Sequence, residues 1–462
     1  MSTFLEPHPN INSLPPQQTV KVREWFPLSP KSNDDASPTL KLMTWNMLAQ
    51  TLVRRELFPN SDCLKANQRG GLLPREVLTY NPDIACLQEV DRLEKHLPIF
   101  HAAGYSHTYA CGPQKPHGCM IMWKSEKFEK LAEHTVFYDE VDLISILNDS
   151  LSDDDEKPQR KATTRVTKNI GLILALARKD DASKGCIVAT THAFWHPMFT
   201  YERARQIGIL LNTVRQMQAS DERYRTWPAY LAGDFNTQPI EASYSLLTAQ
   251  PLTPAHVKSL DHSRVIHISI DTTVPPTPNA ANVKEDEGGA AAAPASTATT
   301  EETKTSATDA EQKNDAKKGN EKETDPDRII TNSRRAVASD DLLSDEELLR
   351  LFGCEQQKGL RSGYDEALRL VSSGSKDGLF GGRVGDAAVG IWEPMYTSYT
   401  FWWKLTLVDY IFILDPPEPV GKPEIVGVLK PHTKEDMEPG LPRAGVCGSD
   451  HTSLMLEFKN GW

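Results

Sequence analysis

Apolar residues in this chain come in short runs, and many of these runs end in a polar residue. Runs of this length, rich in aliphatic and β-branched side chains, predict buried β-strands. The predicted strands cover residues 41–48, 83–90, 105–111, 118–124, 170–177, 186–191, 230–232, 406–414 and 452–458. We therefore expect strands throughout both halves of the chain.

Apolar residues at helical spacing lie between several of these runs. They predict helices over residues 65–80 and 200–217, with shorter ones near residues 93–100 and 244–247. A further helix should begin at Ser344, since Glu347 completes a capping-box pattern with it. Strands with intervening helices predict an α/β fold of two packed sheets flanked by helices, with a site where strand ends converge.

Two segments lack the regular spacing of apolar residues that buried strands and helices show. Residues 1–37 are rich in Pro, Asn and Ser, so we expect a flexible N-terminal arm. Residues 274–339 consist mostly of Ala, Thr, Pro, Glu and Lys and predict a disordered low-complexity insertion. The charged stretch 149–161 reads as a loop. The remainder, 38–462, is expected to form a single catalytic domain interrupted by that insertion.

Composition excludes few function classes. The 462 residues are 39 % hydrophobic and 25 % charged, as in ordinary soluble proteins. The net charge of −12 opposes nucleic-acid binding, but residues 284–327 hold twelve acids and six lysines, a net of −6, so half of it is local. Charge therefore does not identify the partner.

Cysteine usage and hydropathy bear on location. The seven cysteines form no CxxC pair, which indicates a reducing compartment and no structural zinc. No apolar run is long enough to span a bilayer, and the first residues lack the basic and apolar regions of a secretory signal. We expect a cytoplasmic or nuclear protein that is not secreted and has no membrane partner.

Polar side chains mark the ends of the predicted strands. They are Asn46, Glu89, His192, Asp234 with Asn236, and Asp450 with His451, and Asp409 interrupts an apolar run. Carboxylate and amide oxygens suit a hard divalent cation, and a buried Asp409 needs a partner such as histidine. Each residue alone also has an ordinary explanation, as a turn, a solvated strand end or a core histidine. The joint pattern favours a hydrolytic site.

The motifs that carry these residues have a known counterpart. In chain order TWN, LQEV, TTHxxW, GDFN, VDYI and SDH resemble the endonuclease/exonuclease/phosphatase superfamily. The deadenylase-like branch, with carbon-catabolite-repressor exonucleases, nocturnin and angel, is most similar. Within it, residues 194–206 resemble fungal Ngl-type RNA exonucleases. The resemblance implies a four-layer α/β/β/α sandwich of two packed mixed β-sheets flanked by helices.

The resemblance also implies a metal site. Glu89 would hold a catalytic Mg²⁺, with Asn46 and Asp450 nearby, and Mn²⁺ would be able to substitute. The absence of any cysteine among these residues agrees with a hard cation.

Catalytic roles follow from the same resemblance. Asp234 would orient or deprotonate the attacking water, and Asn236 would hold that water and a phosphate oxygen. His192 would donate to the negative charge developing on phosphorus. His451 would contact the scissile phosphate, oriented by Asp409.

Substrate contacts are less specific. Phe194, Trp195 and Trp403 could stack on bases, although core packing is an equal alternative. Arg203 and Arg205 could meet phosphates, although a solvated helix face explains them as well.

These observations predict a Mg²⁺-dependent 3′→5′ exoribonuclease that releases nucleoside 5′-monophosphates from single-stranded RNA, such as poly(A) tails or maturing non-coding RNA ends. One alternative is a phosphatase acting on a small nucleotide or dinucleotide. Another is an inactive RNA-binding scaffold, disfavoured because every motif keeps its reactive side chain. The family often has Gly where Leu405 stands, and Ala193-Phe194 replaces its usual residues, so base preference stays open. No protein partner is indicated.

Overall fold

The computed structural model describes residues 2–28, 37–147, 159–277, 329–356, 359–372, 390–400, 404–416, 421–459 and 461–462. Its strands are β1 (Trp25–Pro27), β2 (Thr39–Asn46), β3 (Ile84–Val90), β4 (Tyr105–Ala110), β5 (Gly118–Lys124), β6 (Phe128–Phe137), β7 (Ile170–Arg178), β8 (Gly185–Thr191), β9 (Ala229–Asp234), β10 (Val265–His267), β11 (Ser333–Arg335), β12 (Arg361–Ser362), β13 (Asp409–Leu414), β14 (Glu424–Leu429) and β15 (Leu454–Lys459).

The α-helices lie mainly between these strands. They are α1 (Ala66–Arg69), α2 (Leu72–Tyr80), α3 (Leu93–Ala102), α4 (Ile144–Leu147), α5 (Thr200–Ser220), α6 (Ala242–Leu247), α7 (Pro254–Ser263), α8 (Asp345–Leu351), α9 (Gly363–Ser372) and α10 (Lys434–Met437).

Two large mixed sheets form the centre of the molecule. The first has the strand order β1-β14-β15-β2-β3-β5-β4, and the second has the order β12-β13-β9-β8-β7-β6. Each contains one parallel pair, β2 with β3 and β8 with β9, among antiparallel neighbours. A separate small sheet pairs β10 with β11.

Alternating side chains of the strands build the layers. On β7, Leu172, Leu174 and Leu176 face the apolar core between the two sheets, whereas Ile173 and Ala175 face the opposite side. That opposite core is covered by α5 and α6, and a third core lies between the first sheet and α2 and α3. Both faces of these strands are buried, which explains their continuous apolar runs. The predicted four-layer α/β/β/α fold is confirmed.

Several predicted elements need correction. The helix expected over 65–80 is two helices, because the chain passes through Gly70 and Gly71 between α1 and α2. The strand expected over 406–414 begins only at Asp409, so this carboxylate lies at the strand's first position and not in its interior. The strands β1, β6, β10, β11, β12 and β14 were not predicted.

The expected N-terminal arm is ordered over part of its length. Trp25–Pro27 pairs antiparallel with β14, and Arg23 is buried in an ion pair with Glu76 of α2. An extended segment with alternating apolar residues can add to an open sheet edge, which composition alone does not reveal.

The boundaries predicted for the insertion are too wide. Val274 is buried and Ser333–Arg335 forms β11, so both ends of the 274–339 segment belong to the fold. Residues 278–328 lie outside the described ranges, as do 148–158, which cover most of the predicted charged loop. Within the described ranges, the helices lack the length and apolar character that crossing a bilayer requires.

Candidate active site

The polar strand ends come together at one edge of the two sheets. Asn46 ends β2, Asp234 ends β9 and Asp409 begins β13, where it pairs directly with Asp234 across the antiparallel ladder. His192 follows β8 and continues its parallel pairing with β9 through a bridge to Asp234. Every one of these residues comes from a different strand, so sheet pairing sets their relative positions.

Glu89 owes its orientation to a β-bulge. The register between β3 and β5 shifts between Leu87 and Val90, and Glu89 has a φ of 51°. Its Oε1 accepts a hydrogen bond from Asn46 Nδ2 at 2.9 Å, and its Oε2 accepts one from the Ala49 amide at 2.9 Å. A bulge re-aims a side chain in this way, and here it turns the carboxylate toward Asn46.

Asn46 joins two carboxylates. Its Nδ2 also donates to Asp234 Oδ2 at 3.0 Å, while its Oδ1 accepts from the Leu48 amide at 3.0 Å. Because its amide is fixed at both atoms, Asn46 holds Glu89 and Asp234 at a defined separation.

The Asp234 loop is tightly constrained. A Cβ at Gly233 would lie 2.5 Å from the Thr191 carbonyl oxygen, so this close approach of β9 to β8 requires glycine. The Asn236 amide donates to Asp234 Oδ1 at 3.0 Å, and its side-chain Nδ2 donates to the Ala193 carbonyl at 3.0 Å. Asn236 has a φ of 48°, which the short Asn side chain tolerates.

His451 forms a dyad with Asp409. Its Nδ1 lies 2.8 Å from Asp409 Oδ2, which also accepts a hydrogen bond from Thr397 Oγ1 at 2.6 Å. The other ring nitrogen, Nε2, lies 3.8 Å from Asp234 Oδ2. Burial lowers the pKa of His451, but the charges of Asp409 and Asp450 outweigh it and hold the pKa well above its usual value. The dyad therefore presents a protonated ring to the cleft.

His192 lies between the carboxylates of Glu89 and Asp234. Its Nδ1 is 3.7 Å from Glu89 Oε1 and its Nε2 is 3.6 Å from Asp234 Oδ2. Burial lowers the pKa of His192 to about 4, so the ring is neutral near pH 7. Its backbone carbonyl accepts a hydrogen bond from Asn169 Nδ2 at 2.7 Å.

The site concentrates buried negative charge. Burial, and then the charge of Asp409, raise the pKa of Asp234 to about 7. Burial raises the pKa of Asp450 to about 6, with a further contribution from Glu89. Carboxylates so placed favour a bound cation, and the oxygens of Glu89 and Asp450 suit Mg²⁺ or Mn²⁺. The Asn46 oxygen instead accepts from the Leu48 amide, and its nitrogen faces Glu89.

A second grouping of ligand atoms is present. One atom each of Asp234, Asp409 and His451 lie within 4.8 Å of one another. In this grouping Nδ1 of His451 already bonds to Asp409, which leaves the ring to act as a hydrogen-bond donor. The Glu89 side of the site therefore suits a hard cation better than the dyad does.

These residues form the floor of a cleft of about 340 Å³. Its lining also includes Phe194, Trp195 and Pro197 from the chain after β8, and Leu52 and Phe58 from the chain after β2. Phe194 is nonetheless buried against Phe199, while Trp195 keeps part of its surface exposed. Trp195 is thus the better placed of the two for contact with a base.

The prediction that Arg203 binds substrate is wrong. Its side chain is fully buried and donates to the carbonyls of His196 and Pro197 and to Glu241 Oε2. These hydrogen bonds fix the position of the loop that follows His192. Arg205 is likewise buried in an ion pair with Glu202, and Trp403 lies outside the described residues.

Sequence reasoning missed Arg69 and Lys115. Arg69 is fully buried and donates to the backbone carbonyls of Met47, Leu48 and Gly448, so it ties the chain after Asn46 to the chain before Asp450. Lys115 lines the cleft, and burial lowers its pKa to about 8. Neither lies in a motif, and a lone basic residue in a polar stretch gave no signal.

Leu405 stands where the family resemblance predicts glycine, and its backbone is left-handed. It adopts a φ of 52°, the left-handed region that favours glycine. The adjacent Thr406 pairs with Ser398, which also bridges to His451. The edge of the cleft keeps a glycine-type turn here at the cost of local strain.

The fold and the site together define the family. A profile of the endonuclease/exonuclease/phosphatase family matches residues 43–451, and the chain belongs to that family.

Curated relatives carry exonuclease names. A probable RNA exonuclease of Schizosaccharomyces pombe, C9B6.11c, is 39 % identical over 231 residues, which are 49 % of this chain and 42 % of that protein. The probable RNA exonuclease NGL3 of Saccharomyces cerevisiae is 37 % identical over 219 residues, 46 % of this chain and 40 % of that protein. The matches thus span about two fifths of the length of these relatives.

Solved structures agree in fold. The crystal structure of ANGEL2, described as a 2′,3′-cyclic phosphatase, superposes with a TM-score of 0.53 at 17 % identity and covers 96 % of this chain and 100 % of that one. At this identity the similarity shows the shared fold alone.

Proposed function

We propose that this protein is a divalent-metal-dependent 3′→5′ exoribonuclease that releases nucleoside 5′-monophosphates from single-stranded RNA. The main support is the cleft floor, where the His451–Asp409 dyad, Asp234 and the Glu89–Asn46 pair face one another. The exonuclease names of the two curated relatives point in the same direction.

The dyad and His192 are placed to act on phosphorus. A protonated His451, held by Asp409, donates a hydrogen bond to a non-bridging phosphate oxygen and stabilises the charge that builds up there. His192 faces the same space from the other side, with Asp234 between the two rings. Donors fixed in advance stabilise the transition state without reorganising.

Asp234 is suited to hold the nucleophilic water. Its pKa, raised to about 7, lets its carboxylate accept a proton near neutral pH. Its Oδ1 is fixed by the Asn236 amide and its Oδ2 by Asn46. Water so aligned attacks phosphorus opposite the 3′ oxygen of the preceding nucleotide. The phosphate stays with the released nucleotide as a 5′-monophosphate.

Glu89 and Asp450, with Asn46 beside them, would hold the metal. When bound, Mg²⁺ would supply positive charge to the phosphate and the leaving oxygen. In this protein Arg69 keeps the two backbone segments that carry Asn46 and Asp450 together. The four carboxylates would repel one another less once a cation is present.

The shape of the cleft supports a nucleic-acid chain. Trp195 and Phe58, from two separate segments of the chain, add apolar side chains to the lining of the cleft beside its polar floor. Flat apolar walls accept unstacked bases, which are available in single-stranded RNA.

The test is digestion of a 5′-labelled RNA oligonucleotide with Mg²⁺, with matched DNA and 3′-phosphorylated RNA as controls. We expect stepwise shortening, nucleoside 5′-monophosphate products, blockage by the 3′-phosphate and loss of activity with EDTA. Products bearing 2′,3′-cyclic phosphates would contradict the attack by water.

A phosphatase is the second candidate, favoured by the shared fold with ANGEL2. The same experiment distinguishes it when RNA ending in a 2′,3′-cyclic phosphate and a dinucleotide cofactor are added as substrates. Loss of the terminal phosphate with the chain left at full length would replace the exonuclease proposal.

A further inference from the structure

Three polar residues lie in the core between the two sheets, directly beneath the cleft floor. They are Thr44 of β2, Gln88 of β3 and Thr190 of β8, and each is fully buried. Two positions later, on the same faces, β2 ends in Asn46 and the chain after β8 reaches His192. Two positions earlier, the same faces carry apolar residues of the core between the sheets, namely Leu42, Cys86 and Val188. We refer to Thr44, Gln88 and Thr190 as the polar layer.

Gln88 holds the polar layer together. Its Nε2 donates to Thr190 Oγ1 at 2.9 Å and to Thr44 Oγ1 at 3.2 Å. The Cys86 carbonyl, 3.0 Å from the same nitrogen, is a third acceptor and determines which end of the amide faces the two hydroxyls. The bond to Thr190 crosses from the first sheet to the second. The apolar contacts around it have no direction of their own, so this bond adds a directed link between the sheets.

Gln88 also lies in the β-bulge that orients Glu89. Regular alternation would place Glu89 on the face of Ala85 and Leu87, which pack toward α2 and α3. The register shift after Leu87 and the φ of 51° at Glu89 turn its side chain toward Asn46 instead. A backbone conformation of this kind persists only where its surroundings fix it. The Gln88 amide, one residue before Glu89, supplies three hydrogen bonds that do so.

The other end of the Gln88 amide is unsatisfied. Its Oε1 is buried and has no hydrogen-bond partner among the residues that the structure describes. Burying an amide oxygen without a partner costs free energy, and an apolar side chain of similar size would avoid that cost. Such a side chain would lose the directed link between the sheets. Gln88 therefore contributes more to position than to stability.

We propose that Gln88 is a positioning residue for Glu89, and that its bond to Thr190 fixes the spacing between the two sheets at the active site. This rests on the proposed function, in which Glu89 of the first sheet holds the metal and Asp234 of the second holds the attacking water. Gln88 lies beneath both groups and acts through Glu89. Its substitution should weaken metal binding and turnover while leaving the binding of RNA nearly unchanged.

The first test is metal affinity, which requires no RNA. Binding of Mn²⁺ is followed by the loss of the EPR signal of the free ion, in the wild-type protein, Gln88→Leu and Thr190→Val. We expect about tenfold weaker binding in both variants, as for the loss of one hydrogen bond. The melting temperature of Gln88→Leu without metal should stay close to that of the wild-type protein. A lower melting temperature with unchanged Mn²⁺ affinity would show a structural role and overturn the proposal.

A matched pair of variants separates the hydrogen bond from packing. Thr190→Ser keeps the hydroxyl that Gln88 reaches, and Thr190→Val removes it at nearly constant size. At saturating Mn²⁺, Gln88→Leu and Thr190→Val should lower kcat on RNA about tenfold and leave KM within about twofold, because no substrate contact is lost. Thr190→Ser should keep the wild-type kcat and Mn²⁺ affinity. Equal losses in Thr190→Ser and Thr190→Val would assign the effect to packing and overturn the proposal.

A double-mutant cycle tests whether Gln88 acts through Glu89. In that case Gln88→Leu should lower kcat in the wild-type protein but leave the residual turnover of Glu89→Gln unchanged. A further tenfold loss on the Glu89→Gln background would show an independent role and overturn the proposal. A protein whose Mn²⁺ affinity depends on Gln88 but which cleaves no RNA would overturn the proposed function alone. Cleavage of RNA with kcat and Mn²⁺ affinity unchanged in Gln88→Leu would overturn the positioning role alone.

Discussion

Two buried polar clusters in this molecule are built on opposite principles. The first is the cleft floor, which holds four buried carboxylates, Glu89, Asp234, Asp409 and Asp450. The second joins the N-terminal segment to α2 and the start of β15, and it is balanced. Arg23 Nη2 lies 2.8 Å from Glu76 Oε1, and Ser453 Oγ donates to the same oxygen at 2.8 Å.

The balanced cluster pairs its two charges directly, and Glu76 Oε2 is its one buried oxygen without a hydrogen-bond partner among the described residues. Arg23 also donates to the Ser453 carbonyl at 2.8 Å and to the Tyr80 hydroxyl at 3.1 Å. This cluster needs no ligand. Removing either Arg23 or Glu76 would leave the other charge buried without a partner. The cleft floor, in contrast, holds Asp234 and Asp450 at raised pKa values, and a bound cation would offset the repulsion among its acids. Buried charge is therefore compensated by an ion pair in one place, whereas in the other the proposed cation would compensate it.

We expect the largest effect on turnover from the substitution of a carboxylate in the cleft floor. Asp234→Ala should lower turnover on RNA at least about a thousandfold, because it removes the water-orienting carboxylate. The melting temperature should stay the same or rise, since one of several repelling acids is lost. Product release and thermal denaturation measure the two quantities, with Glu133→Ala, an exposed carboxylate, as control. Near-normal turnover would show that the floor is misassigned.

In the Arg23–Glu76 cluster, a substitution should lower stability and leave turnover nearly unchanged. Glu76→Ala leaves Arg23 buried and unpaired, so the free energy of unfolding should fall by about 3–5 kcal/mol. Turnover per folded molecule should change little at low temperature. Denaturant titration measures the loss, and the double variant Arg23→Met, Glu76→Leu should recover much of it. A stable Glu76→Ala protein would mean that water reaches this site.

Stabilisation by added Mg²⁺ should depend on the cleft floor and not on the Arg23–Glu76 cluster. Adding Mg²⁺ at about 100 times its dissociation constant should stabilise the wild-type protein by about 2.7 kcal/mol. The double variant Glu89→Gln, Asp450→Asn should show a much smaller shift in melting temperature, whereas Glu76→Ala should keep the full shift. An equal shift in all three proteins would place the cation elsewhere.

The smallest effect concerns a region that belongs to neither cluster. Replacing residues 278–328 by a short Gly-Ser linker should leave stability and cleavage of short RNA nearly unchanged. Removing 274–339 should cost roughly 1–3 kcal/mol, because the buried Val274 and strand β11 are lost. Thermal denaturation of both deletions measures the difference, and equal stability would mean that the β10–β11 pair contributes nothing.

The sequence predicted what depends on local pattern. Apolar runs located most of the strands, and Asp409, a carboxylate beside apolar residues, indicated a partner that the structure identifies as His451. The ends of strands carried the polar groups because a sheet edge is where they can leave the core. The roles assigned to these residues remain predictions.

What the sequence did not predict depends on contacts between distant segments. The amino-acid sequence of β3 does not indicate the β-bulge that turns the Glu89 side chain toward Asn46. Arg203 looked like a solvent-facing or phosphate-binding residue, yet the carbonyls of His196 and Pro197, seven and six residues earlier, accept its hydrogen bonds in the interior. The Lys115–Asn169 hydrogen bond joins two loops 54 residues apart.

The pairing of β9 with β13 has a consequence for how this chain can change over time. Asp234 and Asp409 are opposite each other because six consecutive residue pairs align the two strands. Inserting or deleting one residue inside either strand would turn every following side chain to the other face. Segments between the two strands that lie outside the core can lengthen or shorten without changing this register, because the strand pairing itself keeps the two carboxylates opposite each other.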